Sequence, residues 1–279
     1  MKIKLLSGIV SLALISCGFN DSSKNTTSTE DTQEEKIAEP EFQNKGHELI
    51  YAVAQKVGNK DSLWAKKDVI YTYTYKTPDG KADVSTEKYL FDGELSYGSY
   101  SKHERTLPQL EGVIEQGFDG EEYWLRHNET YLSDEEMMKQ VAFNRPTNFY
   151  WFTMMQKLLD DGINYEYLNK KTIDSTTYDV VKITFDLNED KSTDIYQVYI
   201  NEETNLIDRF LFTVADFNVI ETPYLMVLEY EEIDNMLIPT SRKYKKSTWE
   251  GELTDEPWIY VNWTNIKFDN GLNRELFTK

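Results

Sequence analysis

The sequence predicts a mainly β protein with a few helices, and three observations carry this prediction. Apolar and polar residues alternate with a period of two over most of 69–126 and 163–268. Turn pairs such as Asp79-Gly80 and Asp119-Gly120 separate the alternating segments at hairpin spacing. Helical spacing occurs only before and between these two stretches. We therefore expect a single α+β domain of antiparallel hairpins with about ten or eleven strands.

The folded part is expected to begin with a helix. Pro40 suits its first position, apolar residues recur near the helical period from Phe42 to Val57, and Gly58 is a natural stop. The period then changes to two. The first strand presents one aromatic-rich face, made up of Val69, Tyr71, Tyr73 and Tyr75.

Two helices are predicted in the middle of the chain. Ser133 and Glu136 have the spacing of a capping box, which indicates the start of the first helix. Pro146 opens the second helix, and Asp161-Gly162 ends it. Apolar side chains point in nearly every direction around this second helix, which implies contact on most of its sides.

Strand spacing returns after Gly162. The candidate strands there are 163–169, 177–186, 194–200, 209–215, 224–231, 238–248 and 258–268. No repeat of fixed period is present, and no break marks a second domain, so we take 41–279 as one domain.

The first seventeen residues have the order of a lipoprotein signal. Lys2 and Lys4 precede an apolar run shorter than the roughly 20 residues that span a bilayer. The run ends in Leu14-Ile15-Ser16-Cys17, which resembles the bacterial lipobox. The resemblance implies removal of 1–16 and acylation of Cys17, with palmitate as a typical acyl chain. The alternatives are an ordinary secretory signal and a short apolar helix whose cysteine is coincidental.

The amino-acid composition excludes several kinds of bond and binding partner. Cys17 is the only cysteine, so a monomer forms no disulfide and no cysteine zinc site. The net charge of −19 argues against binding to nucleic acid or adsorption onto anionic lipid head groups. Residues 17–40 are polar, acidic and aperiodic, which predicts a disordered tether of about 25–30 Å. We expect a lipid-anchored protein of the outer membrane, on its periplasmic or outer face.

The layout of the chain resembles the LolA/LolB-like superfamily of lipoprotein carriers and envelope proteins, in an uncharacterised branch. The likeness rests on the leading helix, the Tyr-rich first strand, the mid-chain aromatic helix, and the segments 117–124, 205–209, 230–239 and 269–277. It implies one strongly curved antiparallel sheet, an open half-barrel, with helices covering its concave face. In the carriers that apolar hollow takes up acyl chains. This chain departs from the soluble carriers in its lipobox and its longer acidic tether.

Two segments supply the residues that could line such a hollow. The candidates are Tyr71, Tyr73, Phe149, Trp151, Phe152 and Met155. Methionine beside aromatic rings suits an adaptable apolar surface. The same residues at strand and helix spacing are also typical of an ordinary core, so both interpretations stay open.

Catalytic patterns are weak. His47, His103 and His127 have no metal-binding spacing, and no nucleophile elbow accompanies them. Neighbouring acidic pairs such as Glu121-Glu122 are typical of solvated turns, whereas a glycosidase places two carboxylates across a cleft. We therefore predict no enzyme, no metal and no cofactor.

Three hypotheses for function follow. The leading one is a membrane-anchored envelope lipoprotein that binds an acyl chain or other lipid between sheet and helices, in lipid or lipoprotein handling. The second is an envelope sensor or scaffold that binds another protein and fills the hollow with its own side chains. The third is a hydrolase, which requires a histidine in hydrogen-bond reach of a serine and a carboxylate.

Overall fold

The computed structural model describes residues 40–186 and 193–279. The predicted signal, Cys17 and all of the predicted tether before Pro40 lie outside the described residues. Residues 41–279 form one compact unit. Among the described residues, no helix combines the length and the apolar character needed to cross a membrane.

The strands come in two runs on either side of the longest helix. The helices are α1 (Lys45–Val57), α2 (Lys60–Ala65) and α3 (Glu135–Lys157). The first run is β1 (Asp68–Lys76), β2 (Ala82–Leu90), β3 (Leu95–His103), β4 (Ile114–Phe118), β5 (Tyr123–His127) and β6 (Thr130–Leu132). The second run is β7 (Ile163–Ile173), β8 (Thr176–Phe185), β9 (Ile195–Asn201), β10 (Ile207–Val214), β11 (Val219–Ile233), β12 (Met236–Lys246) and β13 (Ile259–Phe268).

All these strands form one antiparallel sheet that is not closed into a barrel. Its order is β6-β5-β4-β3-β2-β1-β13-β12-β11-β10-β9-β8-β7. The two runs meet where β1 pairs with β13, with Tyr73 opposite Trp263. Because α3 links β6 at one edge to β7 at the other, it crosses the sheet and packs on β3, β4 and β5. The predicted fold class is confirmed, with thirteen strands in the described part instead of ten or eleven.

Several predicted helix boundaries are wrong. Asn44 caps α1 by accepting a hydrogen bond from the His47 amide at 3.1 Å, so Pro40 lies before the helix. Asp134 caps α3 by accepting from the Met137 amide at 3.0 Å, in place of Ser133. Both are short side chains with an oxygen at the right reach, which is the usual chemistry of a cap. Helix α2 was not predicted from the sequence; Asn59 caps it directly after Gly58.

The two predicted mid-chain helices are one helix, because α3 continues through Pro146. Pro146 is exposed, and the same face is buried on both sides of it, at Val141, Arg145, Phe149 and Phe152. A proline inside a helix costs about 3 kcal/mol. Burial of this stripe offsets that cost, so packing keeps the helix continuous.

The core lies mainly between the helices and the sheet, on what we call the helix-covered face. One cluster joins α1 and the end of α3 to β7–β12, a second surrounds Phe152 and Trp263, and a third joins Val141 to β3–β5. On the opposite face, Phe277 packs against Trp124, whose indole nitrogen donates to the Phe277 carbonyl at 2.6 Å. Both faces of the sheet are therefore partly covered.

Candidate functional site

The six residues predicted from the sequence to line a ligand site differ in how far their side chains are exposed. Four of them are buried: Tyr71, Phe149, Phe152 and Met155. Tyr73 and Trp151 remain partly exposed. All six lie on the helix-covered face, in two adjoining apolar clusters.

The centre of the helix-covered face is filled by the protein's own rings. Phe152 stacks on Tyr71 with ring centres 5.0 Å apart and lies 5.2 Å from Trp263. Phe149 contacts Tyr89 at 5.2 Å. These separations are typical of close-packed aromatic clusters. At this place no guest is needed to complete the packing.

Two surface hollows occur elsewhere. One of about 370 Å³ is lined by Trp64, Lys67, Asp68, Leu90, Asp92, Asp269, Gly271 and Leu272. The other, of about 600 Å³, is lined by Thr222, Lys246, Ser247, Thr254, Asp255, Glu256 and Pro257. Both are open to solvent, and neither borders Trp151 or Phe152.

A buried ion pair lies beside the central rings. The side chains of Glu87 on β2 and Arg145 on α3 are both 0% exposed, and Arg145 Nη1 donates to Glu87 Oε2 at 2.9 Å. Arg145 Nη2 also donates to the Tyr100 hydroxyl at 3.0 Å. The hydroxyls of Ser85 and Tyr89 donate to the carboxylate at 2.6 and 3.1 Å. Each charge therefore has an opposite charge and further hydrogen bonds, as a buried pair requires.

A second buried arginine has no such counter-ion. Arg242 on β12 is 4% exposed, and its guanidinium carbon lies 3.7 Å from the centre of the Trp263 ring. Among the described residues its Nε has no hydrogen-bond partner, and no carboxylate pairs with it. Burial lowers the pKa of Arg242 to about 10. The side chain therefore still carries its positive charge at neutral pH.

Aromatic side chains continue from Arg242 to one end of the sheet. We call them the rim aromatics: Tyr73, Tyr75, Phe212, Tyr224 and Tyr244. All except Phe212 keep part of their surface exposed. The hydroxyls of Tyr75 and Tyr244 are hydrogen-bonded to each other. Phe212 lies 5.5 Å from Tyr224 and 5.7 Å from Tyr244, measured between ring centres.

The rim aromatics adjoin α3 and an exposed apolar tip. Trp151 on α3 contacts Phe212 with ring centres 5.4 Å apart. Phe217, between β10 and β11, is 63% exposed and contacts Phe143 of α3 at 4.9 Å. Burial raises the pKa of the Tyr73 hydroxyl, so this tyrosine is neutral at physiological pH. The rim aromatics therefore form a surface of neutral rings that is neither fully packed nor fully open.

Arg242 and most of the rim aromatics were not predicted as site residues from the sequence. The sequence does contain a sign of Arg242. The period-two pattern of β12 puts this arginine on the same strand face as Ile238, Thr240 and Tyr244, where a charged residue is unusual. Its lack of a partner is visible only in three dimensions.

The histidines are engaged by the backbone. The two ring nitrogens of His103 lie 3.0 and 2.7 Å from the carbonyls of Thr106 and Gly112. A ring nitrogen of His127 lies 2.6 Å from the Glu111 carbonyl, and His47 accepts from the Gln43 amide. Within 40–186 and 193–279, no cluster of three or more potential metal-binding side chains occurs.

Several solved structures are similar to this chain. A LolA superfamily protein from Nitrosomonas europaea is 12% identical over 84% of this chain and 97% of its own, with a TM-score of 0.49. A DUF1329 family protein from Desulfovibrio piger is 13% identical over 84% and 95%, with a TM-score of 0.47. A domain from Vibrio parahaemolyticus, described as an outer membrane lipoprotein-sorting protein, is 10% identical over 84% and 96%, with a TM-score of 0.48.

At these identities the likeness concerns the fold alone. Neither protein-family models nor curated protein sequences give a match for this chain.

Proposed function

We propose that this protein is an envelope lipoprotein that binds an apolar ligand, an acyl chain or another lipid, against the rim aromatics. The observation that carries the proposal is the partial exposure of four tyrosines, Tyr73, Tyr75, Tyr224 and Tyr244, on the helix-covered face. Rings in this state gain about 25 cal/mol for each Å² that a ligand removes from water. Each buried methylene of the ligand contributes roughly 0.8 kcal/mol more.

The site lies at the rim and not at the centre of the helix-covered face. Phe149 and Phe152 are packed against other rings at about 5 Å, so a chain inserted there displaces protein contacts of similar quality. Trp151 and Tyr73 lie where packing is incomplete. In this proposal the buried candidates hold α3 on the sheet, and the partly exposed candidates touch the ligand.

The binding test uses the full chain with Cys17→Ser, so that bound lipid is not confused with a covalent acyl group. We expect native mass spectrometry to detect co-purified lipid, and a hydrophobic dye to bind and be displaced by fatty acid. Tyr244→Ala removes part of the rim and is expected to weaken dye binding about tenfold, since one large side chain loses its contact.

Tyr260→Ala is the matched control, because Tyr260 is an exposed tyrosine on the opposite face of the neighbouring strand β13. It is expected to leave dye binding unchanged. Equal losses in the two variants, or a chain that binds neither lipid nor dye, would contradict the proposal.

Membrane attachment through Cys17 is a separate part of the proposal. The lipobox at 14–17 supports it. In cells fed labelled palmitate, we expect label in the wild-type chain and none in Cys17→Ser, which also leaves the membrane fraction. Label in both chains, or in neither, would contradict the anchor without touching the binding site.

A second candidate is an envelope sensor or scaffold that binds another protein. The filled centre of the helix-covered face favours it, because a protein without a lipid guest has no need of empty space there. It predicts that the purified chain carries no lipid and that fatty acid displaces no dye. The binding test therefore separates the two candidates.

A further inference from the structure

We infer that Arg242 receives the anionic head group of the ligand, so that the site takes an amphiphile with a carboxylate or phosphate group in preference to an uncharged lipid. The inference rests on the proposed function and deepens it. Arg145 is buried with a counter-ion, whereas Arg242 is buried and charged with no counter-ion among the described residues.

Within the described part of the chain, no carboxylate pairs with Arg242. The groups that interact with its charge are the neutral tyrosines Tyr71, Tyr73, Tyr89 and Tyr244. The buried carboxylate of Glu87, which accepts from Tyr89, is already bound by Arg145. A buried cation loses hydration that only an opposite charge restores well. A ligand anion therefore has a larger binding advantage here than at a solvated arginine.

The geometry of Arg242 leaves its donors available. Trp263 covers one flat face of the guanidinium, with the carbon 3.7 Å from the ring centre. The N–H donors of a guanidinium lie in its plane, so stacking does not occupy them. A planar fork of this kind matches two oxygens of a carboxylate or a phosphate. Stacking thus holds the arginine in place, while no acceptor within 40–186 or 193–279 occupies the edge that an anion would use.

The position of Arg242 fits an amphiphile with its head inward. Arg242 lies 3.7 Å from the centre of the Trp263 ring, and Tyr73 and Tyr244 are among the groups that interact with its charge. An anion held there directs its attached chain along the partly exposed tyrosines, which are the surface of the proposed apolar site. A free anion would use Arg242 and leave these rings uncovered.

The negative net charge of −19 does not oppose this arrangement at short range. Exposed charges are screened beyond about 8 Å at physiological ionic strength. Asp83 is paired with Arg105 at 3.4 Å, and Arg105 in turn lies 3.8 Å from the centre of the Tyr75 ring. Asp83 and Glu87 therefore each have an arginine of their own.

The test compares four variants of the full chain, all carrying Cys17→Ser. They are the otherwise unchanged chain, Arg242→Met, Arg242→Lys and Lys243→Met. The probes are myristic acid, tetradecyl phosphate and tetradecanol below their aggregation limits, with inorganic phosphate and acetate as head groups without a chain. Dissociation constants come from dye displacement and from quenching of tryptophan fluorescence.

We expect the two anionic amphiphiles to bind more tightly than tetradecanol. Arg242→Met is expected to weaken their binding on the order of 10- to 100-fold, since a charged hydrogen-bonding group is lost, and to change tetradecanol binding less than about threefold. Arg242→Lys keeps the charge but not the planar pair of donors, so its dissociation constants for the anionic amphiphiles are expected to lie between those of the unchanged chain and Arg242→Met. Lys243→Met removes a charge from the opposite face of β12 and leaves all constants unchanged.

Retained tetradecanol binding shows that Arg242→Met is folded. If myristic acid and tetradecanol bind equally well, or Arg242→Met weakens both alike, the inference is overturned and the apolar site stands. If inorganic phosphate binds as tightly as tetradecyl phosphate, the inference of an amphiphilic ligand is overturned and the site binds a free anion. Failure of every probe to bind the unchanged chain would overturn the proposed function itself.

Discussion

Arg145 and Arg242 are both buried on the helix-covered face, yet they differ in what neutralises them. Arg145 meets Glu87, Tyr100 and a set of supporting hydroxyls. Arg242 meets the flat face of Trp263 and, among the described residues, no carboxylate. The difference indicates that Arg145 joins α3 to the sheet through its ion pair, whereas the charge of Arg242 makes no ion pair that stabilises the fold. Stability and ligand binding should therefore separate between the two sites.

The largest effect is expected when the satisfied pair is broken. Glu87→Gln leaves Arg145 buried without a counter-ion and should lower the free energy of unfolding by about 3–5 kcal/mol. Urea unfolding measures this loss. The double variant Glu87→Gln with Arg145→Met removes both charges and should recover most of it. A loss below about 1 kcal/mol in the single variant would show that the pair contributes little, counter to our account.

A steric change tests the same pair without altering any charge. A Cβ atom added at Gly98 on β3 lies 2.6 Å from Arg145 Nη1 and 2.8 Å from Glu87 Oε1. Gly98→Ala should therefore displace the pair and destabilise the protein by about 1–3 kcal/mol. The measurement is again urea unfolding. If Gly98→Ala has wild-type stability, the pair is less rigidly held than the distances indicate.

Pro146 allows the helix that carries Arg145 to be strengthened. It is exposed, and alanine restores the backbone N–H that a helix interior uses. Pro146→Ala should raise the free energy of unfolding by about 1–2 kcal/mol, since the gain in the helix exceeds the entropy that proline removes from the unfolded chain. Thermal unfolding followed by circular dichroism checks this. A destabilised variant would mean that α3 depends on a bend at Pro146.

The smallest effect on stability is expected at Arg242. Arg242→Met loses the stacking on Trp263, worth about 0.5–2 kcal/mol, but also removes an uncompensated buried charge. We expect the free energy of unfolding to change by less than about 1 kcal/mol, or to rise. A loss comparable with that of Glu87→Gln would show that Arg242 is structural, and would remove the contrast.

Local sequence signals were enough for most of the fold. Period-two spacing and Asp-Gly turns gave the hairpins, because both are read from neighbouring residues. The strand β6 has three residues, too few for a period to show. The continuity of α3 through Pro146 depends on burial of its other residues, which proline chemistry alone argues against.

The site was harder to predict than the fold. Glu87 and Arg145 lie 58 positions apart in the chain, and no pattern within either segment links them. Tyr71, Tyr73, Phe149 and Phe152 were found as an aromatic group, but sequence spacing does not distinguish packed rings from partly exposed ones. Arg242 could have been singled out from its position on an apolar strand face. The position of Arg242 on that face predicts that the side chain is buried, but it does not show whether a counter-ion lies beside it.

Ligand-linked stabilisation shows whether Arg242 contributes to binding of an anionic amphiphile. The full chain with Cys17→Ser, with and without Arg242→Met, is unfolded in the presence of myristic acid at about 100 times the dissociation constant of the unchanged chain. We expect a stabilisation of about 2.7 kcal/mol in the unchanged chain and a much smaller one in Arg242→Met. Equal stabilisation of the two chains would contradict this expectation, because the arginine would then make no use of the ligand's charge.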